Sequence, residues 1–309
     1  MLTALDHIII GVRDLEQSSA NFSQRLGLLA SGGGTHPSGG TANRIIVIGD
    51  TYLELIAVNI PAEAQQSMLT RLARGEGYLN FVLASNDIEA DSASMAQRGV
   101  SILGPAPGQL KSADGRSRGW SRTNVERPDL TQHYPFLIQH DSTGEERRFR
   151  LAGWAEPPAH PLGAVKVLST TIAVSDLAEA APRFERIYGI QPSTNFTGEA
   201  DGWEAMLVAF ALDEGGQSFE LAEPLPLAID DPTVDTGPLP EEGALSHHLQ
   251  TFGESLCRMT LAVRDLAASR RYLDEHAVTY TYEEKQHPVL WISPHEACGA
   301  AIVLHEVVA

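Results

Sequence analysis

A chain of 309 residues is long enough for about two domains, and 43% hydrophobic with 20% charged residues is the composition of an ordinary globular protein. This composition excludes a disordered chain, a collagen and a coiled coil. The 40 acidic and 22 basic residues give a net charge of −18, which makes nucleic acid and anionic membranes poor partners.

Neither a membrane span nor cysteine chemistry is indicated by the sequence. The apolar runs, such as HIIIGV and AAIVL, are far shorter than the roughly 18 residues that span a bilayer. The N-terminus has no basic leader followed by an apolar segment. Cys257 and Cys298 form no CxxC pair and no zinc-ribbon spacing, so we expect packing residues in a cytoplasmic protein.

The first predicted elements form one strand, one helix and three further strands. The strand LDHIIIGVRDL ends at Asp14, which we predict to be the N-cap of the helix LEQSSANFSQRLG. Gly27 stands where a left-handed residue ends a helix. Three short strand patterns follow, GLLASGG, NRIIVIGD and TYLELIAV, with a hairpin turn at Gly49 and Asp50. The predicted unit is βαβββ.

The same pattern recurs three times along the chain. LNFVLASNDI, VLSTTIAVSDL and CRMTLAVRDL each precede a helical pattern, with Asp87, Asp176 and Asp265 as expected N-caps. Unit two continues with GVSILGP, a polar stretch from Lys111 to Asp129, and HYPFLIQHD. Glycine again follows the helix at Gly99 and Gly189. Four units therefore make up the chain.

We group the four units into two modules. The first module covers 1–150, with units 1–76 and 77–150, and the second covers 151–309, with units 162–225 and 255–309. The proline-rich, charged segment 145–161 is predicted to be a linker between the modules. The acidic, proline-rich segment 226–254 is predicted to be a loop insertion.

Four segments carry a resemblance to a known superfamily: LDHIIIGVRDL at 5–15, THPSGGTANRIIVIGDTYLELIAV at 35–58, YPFLIQHD at 134–141 and AHPLGAVKV at 159–167. The chain resembles the vicinal oxygen chelate superfamily, which contains glyoxalase I, extradiol dioxygenases and fosfomycin-resistance proteins. The closer resemblance is to its glyoxalase-like domain proteins. It implies an α+β fold in which paired βαβββ units form cupped mixed sheets, with a divalent metal inside the cup.

The resemblance places two metal ligands in the first unit, His7 on the first strand and Glu54 on the last. An imidazole with a carboxylate suits Fe, Mn, Ni or Zn. Gln139, His140 and His36 are the candidates for a further ligand. His7 corresponds to Asn80, Ser169 and Arg258 in the other units, so the second module is predicted to hold an ion pair of Arg258 with Glu220 in place of a metal.

The remaining candidate residues line the expected pocket. The glycine-rich loop THPSGG lets backbone approach a ligand closely, and His36, Thr41, Asn43 and Arg44 are the polar groups on and after it. Asn80 and Phe136 are assigned to the same substrate pocket, with Tyr134 and Trp120 as further wall residues. Glu54 is also the candidate catalytic base.

Three functions remain open on the sequence. The first is a metal-dependent lyase, isomerase or ring-cleaving dioxygenase acting on a small oxygenated metabolite. The second is a metal-free protein that binds or sequesters a small molecule, and the third is a scaffold with two vestigial cups. No P-loop, GxSxG elbow or dinucleotide fingerprint supports another chemistry. Both a monomer and a homodimer are compatible with the two modules.

Overall fold

The computed structural model describes residues 2–36, 39–111, 115–126, 133–192, 194–200, 203–212, 216–225, 245–284 and 288–307. Sixteen strands and seven α-helices occupy this part of the chain. The strands of the first half are β1 (Leu2–Gly11), β2 (Ser31–Thr35), β3 (Thr41–Ile48), β4 (Thr51–Val58), β5 (Gly77–Ser85), β6 (Ile102–Lys111), β7 (Ser117–Val125) and β8 (Phe136–His140). Those of the second half are β9 (Ala164–Ala173), β10 (Thr194–Ala200), β11 (Trp203–Ala211), β12 (Ser218–Pro224), β13 (Ser255–Val263), β14 (Tyr280–Glu283), β15 (Val289–Ile292) and β16 (Ala301–Glu306).

The helices complete four βαβββ units, as predicted. They are α1 (Leu15–Ala20), which continues as a π-helical turn at Asn21–Arg25, α2 (Gln66–Arg74), α3 (Ile88–Gln97), α4 (Gly144–Ala152), α5 (Leu177–Tyr188), α6 (Leu245–Phe252) and α7 (Leu266–Glu275). Helices α1, α3, α5 and α7 each follow the first strand of a unit. The other three stand between units, and α4 lies between the two sheets in the chain order.

The first eight strands close into a barrel of order β1-β4-β3-β2-β6-β7-β8-β5. The sheet is mixed, because β1 pairs with β4 and β5 with β8 in parallel while β1 and β5 are antiparallel. One register pair, Thr35 with Lys111, joins β2 to β6. The last eight strands form a sheet of order β10-β11-β12-β9-β13-β16-β15-β14 with the same pairing directions. The predicted α+β architecture with cupped mixed sheets is confirmed.

The four predicted N-caps are confirmed. Each aspartate side chain accepts a hydrogen bond from the backbone N–H three residues ahead, at 2.9 Å for Asp14, 3.1 Å for Asp87, 3.1 Å for Asp176 and 2.7 Å for Asp265. These bonds satisfy amide groups that the first turn of a helix leaves free. In each unit, the aspartate after the first strand therefore marks where the following helix begins.

One hydrophobic core joins the two modules. It contains Leu5 and Phe81 from the first sheet and Phe219 from the second, and the rings of Phe81 and Phe219 lie 5.9 Å apart. Gln217 adds polar links across the same boundary, because its Oε1 accepts from the N–H of Leu5 at 3.0 Å and its Nε2 donates to Thr51 Oγ1 at 3.0 Å. The outer faces of the two sheets therefore pack against each other.

The structure differs from the sequence expectation in three segments. The predicted linker contains α4, whose N-terminus has a capping box of Thr143 and Glu146. The polar stretch of unit two contains β7, which pairs with β6 and β8. The predicted loop insertion ends in α6, where Leu245 and Leu249 pack on a small apolar cluster. The rest of that insertion, residues 226–244, lies outside the described residues. A short polar sequence can form regular structure when tertiary neighbours supply its partners.

Two further expectations concern the membrane and the cysteines. No helix in the described part of the chain combines the length and apolar character that crossing a bilayer requires. Cys257 is a buried free thiol and Cys298 is a partly exposed one.

Candidate functional site

The candidate site lies inside the barrel of the first module. Strand side chains alternate between faces, and Ile8, Ile10, Leu53 and Leu55 point outward into the common core. The intervening residues of β1 and β4 therefore point inward. His7 and Tyr52 are register partners across this pair, and their rings stack at 4.7 Å with an interplanar angle of 10°.

Glu54 is the centre of the inward-facing polar groups. Its Oε2 lies 3.6 Å from His7 Nε2, and its Oε1 lies 3.7 Å from His36 Nε2. Asn43 Nδ2 donates to Oε1 at 2.5 Å, and Asn43 Oδ1 accepts from the N–H of Gly34 at 2.8 Å. The structure thus brings together His7, His36, Asn43 and Glu54, which the sequence analysis selected.

The pKa of the Glu54 carboxylate and that of the His36 imidazole are both lowered. Burial raises the pKa of Glu54, but the charges of His7 and His36 and the hydrogen bond from Asn43 outweigh it and leave the pKa lowered. Burial lowers the pKa of His36, although Glu54 acts in the opposite direction. Thr41 Oγ1 holds His36 Nδ1 at 2.8 Å, which leaves Nε2 facing Glu54.

Asp6 fixes His7 from the other side. Its Oδ1 lies 2.6 Å from His7 Nδ1 and 3.1 Å from His140 Nε2, and its Oδ2 lies 3.5 Å from Arg147 Nη2. Burial raises the pKa of Asp6, yet His140 and Arg147, with hydrogen bonds from both imidazoles, lower it well below the usual value. An ionised carboxylate only accepts hydrogen bonds. His7 therefore donates through Nδ1, and its Nε2 faces Glu54.

Aromatic rings and one cation complete the interior. Phe136 meets His7 edge to face at 6.1 Å, and Trp120 meets His140 at 6.5 Å. Arg118 is 5% exposed and its Nη1 donates to Tyr52 Oη at 3.3 Å. Burial raises the pKa of Tyr52, so its hydroxyl stays protonated. A cavity of about 710 Å³ borders β6, β7 and β8, with Arg118, Trp120 and His140 in its wall.

Helix α4 covers part of this interior. Its Leu151 and Ala152 pack on Ile45, Val47 and Tyr52. The contact is close, because a Cβ added at Gly32, where φ is +58°, would stand 2.1 Å from the carbonyl oxygen of Leu151. The same helix supplies Arg147 to Asp6. The segment that the sequence analysis assigned to a linker is therefore a wall of the site.

Three of the selected residues are not brought to this cluster. Arg44 lies on the opposite face of β3 from Asn43 and forms an ion pair with Glu16. Gln139 lies on the opposite face of β8 from His140, where its side chain bonds to the backbone of Asn86 and Ile88 at 3.0 and 2.9 Å. Asn80 Nδ2 donates to the carbonyl oxygen of Tyr134 at 2.9 Å. Of the further candidate ligands, His140 reaches the cluster only through Asp6.

Four residues of the interior were not among those predicted from the sequence: Asp6, Tyr52, Arg118 and Arg147. Asp6 precedes His7 and would face outward in a regular strand, but the pairing of β1 with β5 is irregular between Leu5 and His7. For Arg118, the alternation with Trp120 in SRGWSRTNV was the available signal. The S/T-x-x-E pattern at Thr143 was the signal for the helix that carries Arg147.

The second module has the predicted ion pair in the equivalent place. Arg258, which is 2% exposed, lies with Nη2 3.3 Å from Glu220 Oε2, and its Nε donates to Thr171 Oγ1 at 3.0 Å. Thr171 Oγ1 in turn donates to Glu220 Oε2 at 2.7 Å. The predicted pair of Arg258 with Glu220 is confirmed.

The polar groups inside the first module are of types that bind metal ions, but they lie farther apart than the ligands of a single ion. In the described part of the chain, no group of three or more His, Cys, Asp or Glu side chains is arranged to hold an ion. Donors about 2.1 Å from one ion stand roughly 3.0–3.5 Å apart, so the two contacts of Glu54 are slightly too wide. The donor types fit, because two neutral imidazoles with one carboxylate are a common divalent-metal set.

Comparisons with known proteins agree with this architecture. A family model described as glyoxalase-like domain matches residues 5–188. A hypothetical protein from Staphylococcus aureus is similar in structure, with a TM-score of 0.64, 13% identity, and coverage of 99% of this chain and 100% of the other. A mutant of 4-hydroxymandelate synthase from Streptomyces coelicolor has a TM-score of 0.65, 12% identity, and coverage of 99% and 92%.

At these identities the solved structures show a common fold alone. No curated protein matches the sequence. The family match, by contrast, covers more than half of the chain and includes the strands that carry His7 and Glu54. The protein therefore belongs to the glyoxalase-like domain family, within the vicinal oxygen chelate superfamily that its sequence resembles.

Proposed function

We propose that the first module is a metal-dependent enzyme, a lyase, isomerase or dioxygenase, that acts on a small oxygenated metabolite inside the barrel. The observation that carries this proposal is the pair of His7 Nε2 and Glu54 Oε2, which face each other at 3.6 Å. That distance is too long for a hydrogen bond. Two buried groups that face each other without bonding are in place for a third atom between them.

The proposed ligands are His7, Glu54 and His36. Asp6 keeps His7 in the tautomer whose Nε2 is free, and such carboxylate partners orient histidine ligands. Asn43 holds Oε1 of Glu54 at 2.5 Å and so limits rotation of the carboxylate. A bound divalent metal would supply Lewis-acid stabilisation of negative charge on the oxygens of the metabolite.

Glu54 is the proposed base. Asn43 bonds to Oε1 only, so Oε2, when it is not a metal ligand, would accept a proton from a carbon next to an oxygen-bearing centre. The rings of Tyr52 and Phe136 lie against His7, and that of Trp120 lies against His140. Burial of Glu54 strengthens its electrostatic contacts.

A metal-free protein that binds or sequesters a small molecule is the second candidate. The observation in its favour is the spacing around Glu54, which is wider than a shared ion needs. Its aromatic walls and buried polar groups are typical of ligand pockets. For either function we propose a cytoplasmic protein, supported by its two free thiols, and a small molecule as partner. Monomer and homodimer are both compatible with it.

Metal content tests the proposal. The purified protein is loaded separately with Fe²⁺, Mn²⁺, Ni²⁺ and Zn²⁺, desalted, and analysed by mass spectrometry for metal per chain between about pH 6 and pH 8. We expect one equivalent of at least one metal in the wild type and loss of it in His7→Ala and Glu54→Gln. Glu220→Gln is the matched control, because it changes the equivalent carboxylate of the second module.

The outcomes separate the two candidates. Retention of metal by Glu220→Gln, with loss in both variants of the first module, supports the enzyme. Absence of metal from the wild type under every loading condition overturns it. An organic ligand that co-purifies with metal-free protein and is lost in the His7→Ala variant then favours the binding protein.

A further inference from the structure

Arg118 is a buried cation with unused hydrogen-bond donors. It is 5% exposed, and the contacts of its guanidinium are the Nη1 bond to Tyr52 Oη at 3.3 Å and the rings of Tyr52 and Trp120, whose centroids lie 5.8 and 5.2 Å from Cζ. Its Nε has no hydrogen-bond partner among the described residues. A guanidinium carries five N–H donors, so most of its capacity is free.

A buried charge without a partner is unfavourable for the folded state. Removing a cation from water costs several kcal/mol unless a carboxylate or phosphate compensates it. In the described part of the chain no carboxylate forms an ion pair with Arg118, whereas the other cation at this interior, Arg147, is paired with Asp6. Local rules of stability are broken mainly at functional sites. A buried arginine without a carboxylate partner therefore indicates a site that binds an anion from outside the chain.

The charge of Arg118 acts on the candidate site itself. It contributes to lowering the pKa of Glu54, of His36 and of His140, so its field reaches the groups around Glu54. Its hydroxyl partner Tyr52 stacks on His7. The unbonded N–H groups of Arg118 and the Nε2 of His7 therefore lie in the same barrel interior.

We propose that Arg118 binds the carboxylate of a small organic acid, with Nε and Nη2 donating to its two oxygens. This deepens the proposed function, since it names the class of molecule that the site takes. The planar fork of arginine matches a carboxylate in a bidentate manner. One unpaired cation suits a monoanion better than a phosphate dianion, and the rings of Tyr52, Phe136 and Trp120 suit a planar or apolar body.

Phenylacetate and its uncharged amide, phenylacetamide, are matched probes for this proposal. Isothermal titration on metal-free full-length protein measures the affinity of each, with inorganic phosphate as a third ligand. We expect phenylacetate to bind about 10-fold or more tightly than phenylacetamide, because only the acid forms a charge-assisted pair. Arg118→Met is expected to remove this preference. Arg122→Met is the matched control, since Arg122 is an exposed arginine on the same strand.

A stability measurement separates binding from a structural role. Arg118 forms no close ion pair in the described part of the chain, so Arg118→Met breaks none, and its urea midpoint is expected to equal or exceed that of the wild type. A lower midpoint, together with an unchanged preference for the acid, overturns the proposal. Equal affinities of the wild type for acid and amide, or tighter binding of phosphate than of phenylacetate, also overturn it.

Glu54→Gln distinguishes failure of this proposal from failure of the enzyme proposal. If the wild type takes up no metal but prefers phenylacetate through Arg118, the enzyme proposal fails and the carboxylate site stands. If metal uptake depends on His7 and Glu54 while Arg118→Met binds phenylacetate as the wild type does, the carboxylate site fails alone. We expect Glu54→Gln to lose metal and to keep the preference for the acid.

Discussion

Asp6 serves two imidazoles with one carboxylate oxygen. Oδ1 lies 2.6 Å from His7 Nδ1 and 3.1 Å from His140 Nε2, while Arg147 balances its charge from α4. Because Asp6 is ionised, both imidazoles donate to it and turn their second nitrogen away from it. His140 Nδ1 has no hydrogen-bond partner among the described residues. Asp6 is thus a positioning residue for the interior and touches no reacting atom itself.

The variant Asp6→Asn tests this role. The amide no longer requires a proton on His7 Nδ1, so His7 Nε2 is no longer held as a lone-pair donor. We expect metal affinity to fall roughly 10- to 100-fold, the usual effect of removing a partner behind a histidine ligand. Competition with a chromophoric chelator measures the dissociation constant.

Asp141→Asn is the control for this prediction, because Asp141 is a half-exposed carboxylate paired with Arg150 rather than with an imidazole. It should leave metal affinity unchanged. A loss of stability in Asp6→Asn with unchanged metal affinity would show that Asp6 serves the fold alone.

Arg258 and Glu220 show how the second module uses the equivalent positions. Glu220→Leu removes the carboxylate that faces buried Arg258, and we expect this to cost roughly 3 kcal/mol of unfolding free energy. Arg258→Met combined with Glu220→Leu removes both charges and should recover most of that loss. Urea unfolding of the two single variants and the double variant measures the coupling energy. Additive losses would contradict a coupled pair.

Among the secondary-structure elements, α4 links stability to the candidate site. It begins with a capping box, packs Leu151 and Ala152 on the barrel interior and carries Arg147 to Asp6. A nine-residue helix is marginal on its own in water, so its stability depends on the cap and on this packing.

Thr143→Ala removes the cap of α4. We expect a loss of about 1 kcal/mol in the free energy of unfolding and faster amide exchange over Gly144–Ala152. Ser142→Ala is the neighbouring control, since Ser142 Oγ has no hydrogen-bond partner in the described part of the chain. Equal exchange rates in the two variants would show that packing alone maintains the helix.

The elements that the sequence predicted correctly are those with a local signal. The four aspartate caps and the apolar strands before them place α1, α3, α5 and α7 without any tertiary information. The strand β7 has neither an apolar run nor an aspartate cap, because most of its residues are polar, and only its pairing with β6 and β8 establishes it. Its β-structure depends on tertiary pairing.

The residues of the site also divide into those with a signal in the sequence and those without one. His7 and Glu54 came from the resemblance, and His36, Thr41 and Asn43 from the glycine-rich loop. Arg44 follows Asn43 directly, so strand alternation already forbids both from facing inward. Asp6 was beyond prediction, because the irregular pairing next to His7 depends on where β5 lies.

For the whole molecule, the shared core predicts one cooperative unfolding transition. Buried residues of both sheets belong to the same apolar cluster, and Gln217 bonds to both. Large apolar contact between modules couples their stabilities. The pH dependence of unfolding is therefore a property of the entire chain.

Stability is expected to fall in two steps as pH decreases. Burial is the main cause that lowers the pKa of His36, His140, His160 and His248, the last to about 3. Below the unfolded histidine pKa of about 6.5 the unfolded chain binds more protons than the native one, so stability falls as pH decreases from there, and the contribution of His248 continues to fall to about pH 3. Asp6 and Glu54 have lowered pKa values, so their contribution is lost below about pH 4.

His248→Asn tests the first step. Without this imidazole, we expect the loss of unfolding free energy between about pH 7 and pH 5 to shrink by roughly 1–2 kcal/mol. Urea midpoints at the two pH values give this difference. His247→Asn is the control, because His247 is the exposed neighbour on α6. Parallel pH profiles for the wild type and His248→Asn would contradict the assignment.

The core shared by the two sheets also limits how the protein can be dissected in the laboratory. A fragment ending at Ala152 would leave Leu5 and Phe81 facing water, without Phe219 and its neighbours. The segment 5–188 matched by the family model stops after α5 and omits β10 to β16. We therefore expect neither piece to fold independently, and we expect truncated versions to expose this apolar surface and aggregate on expression.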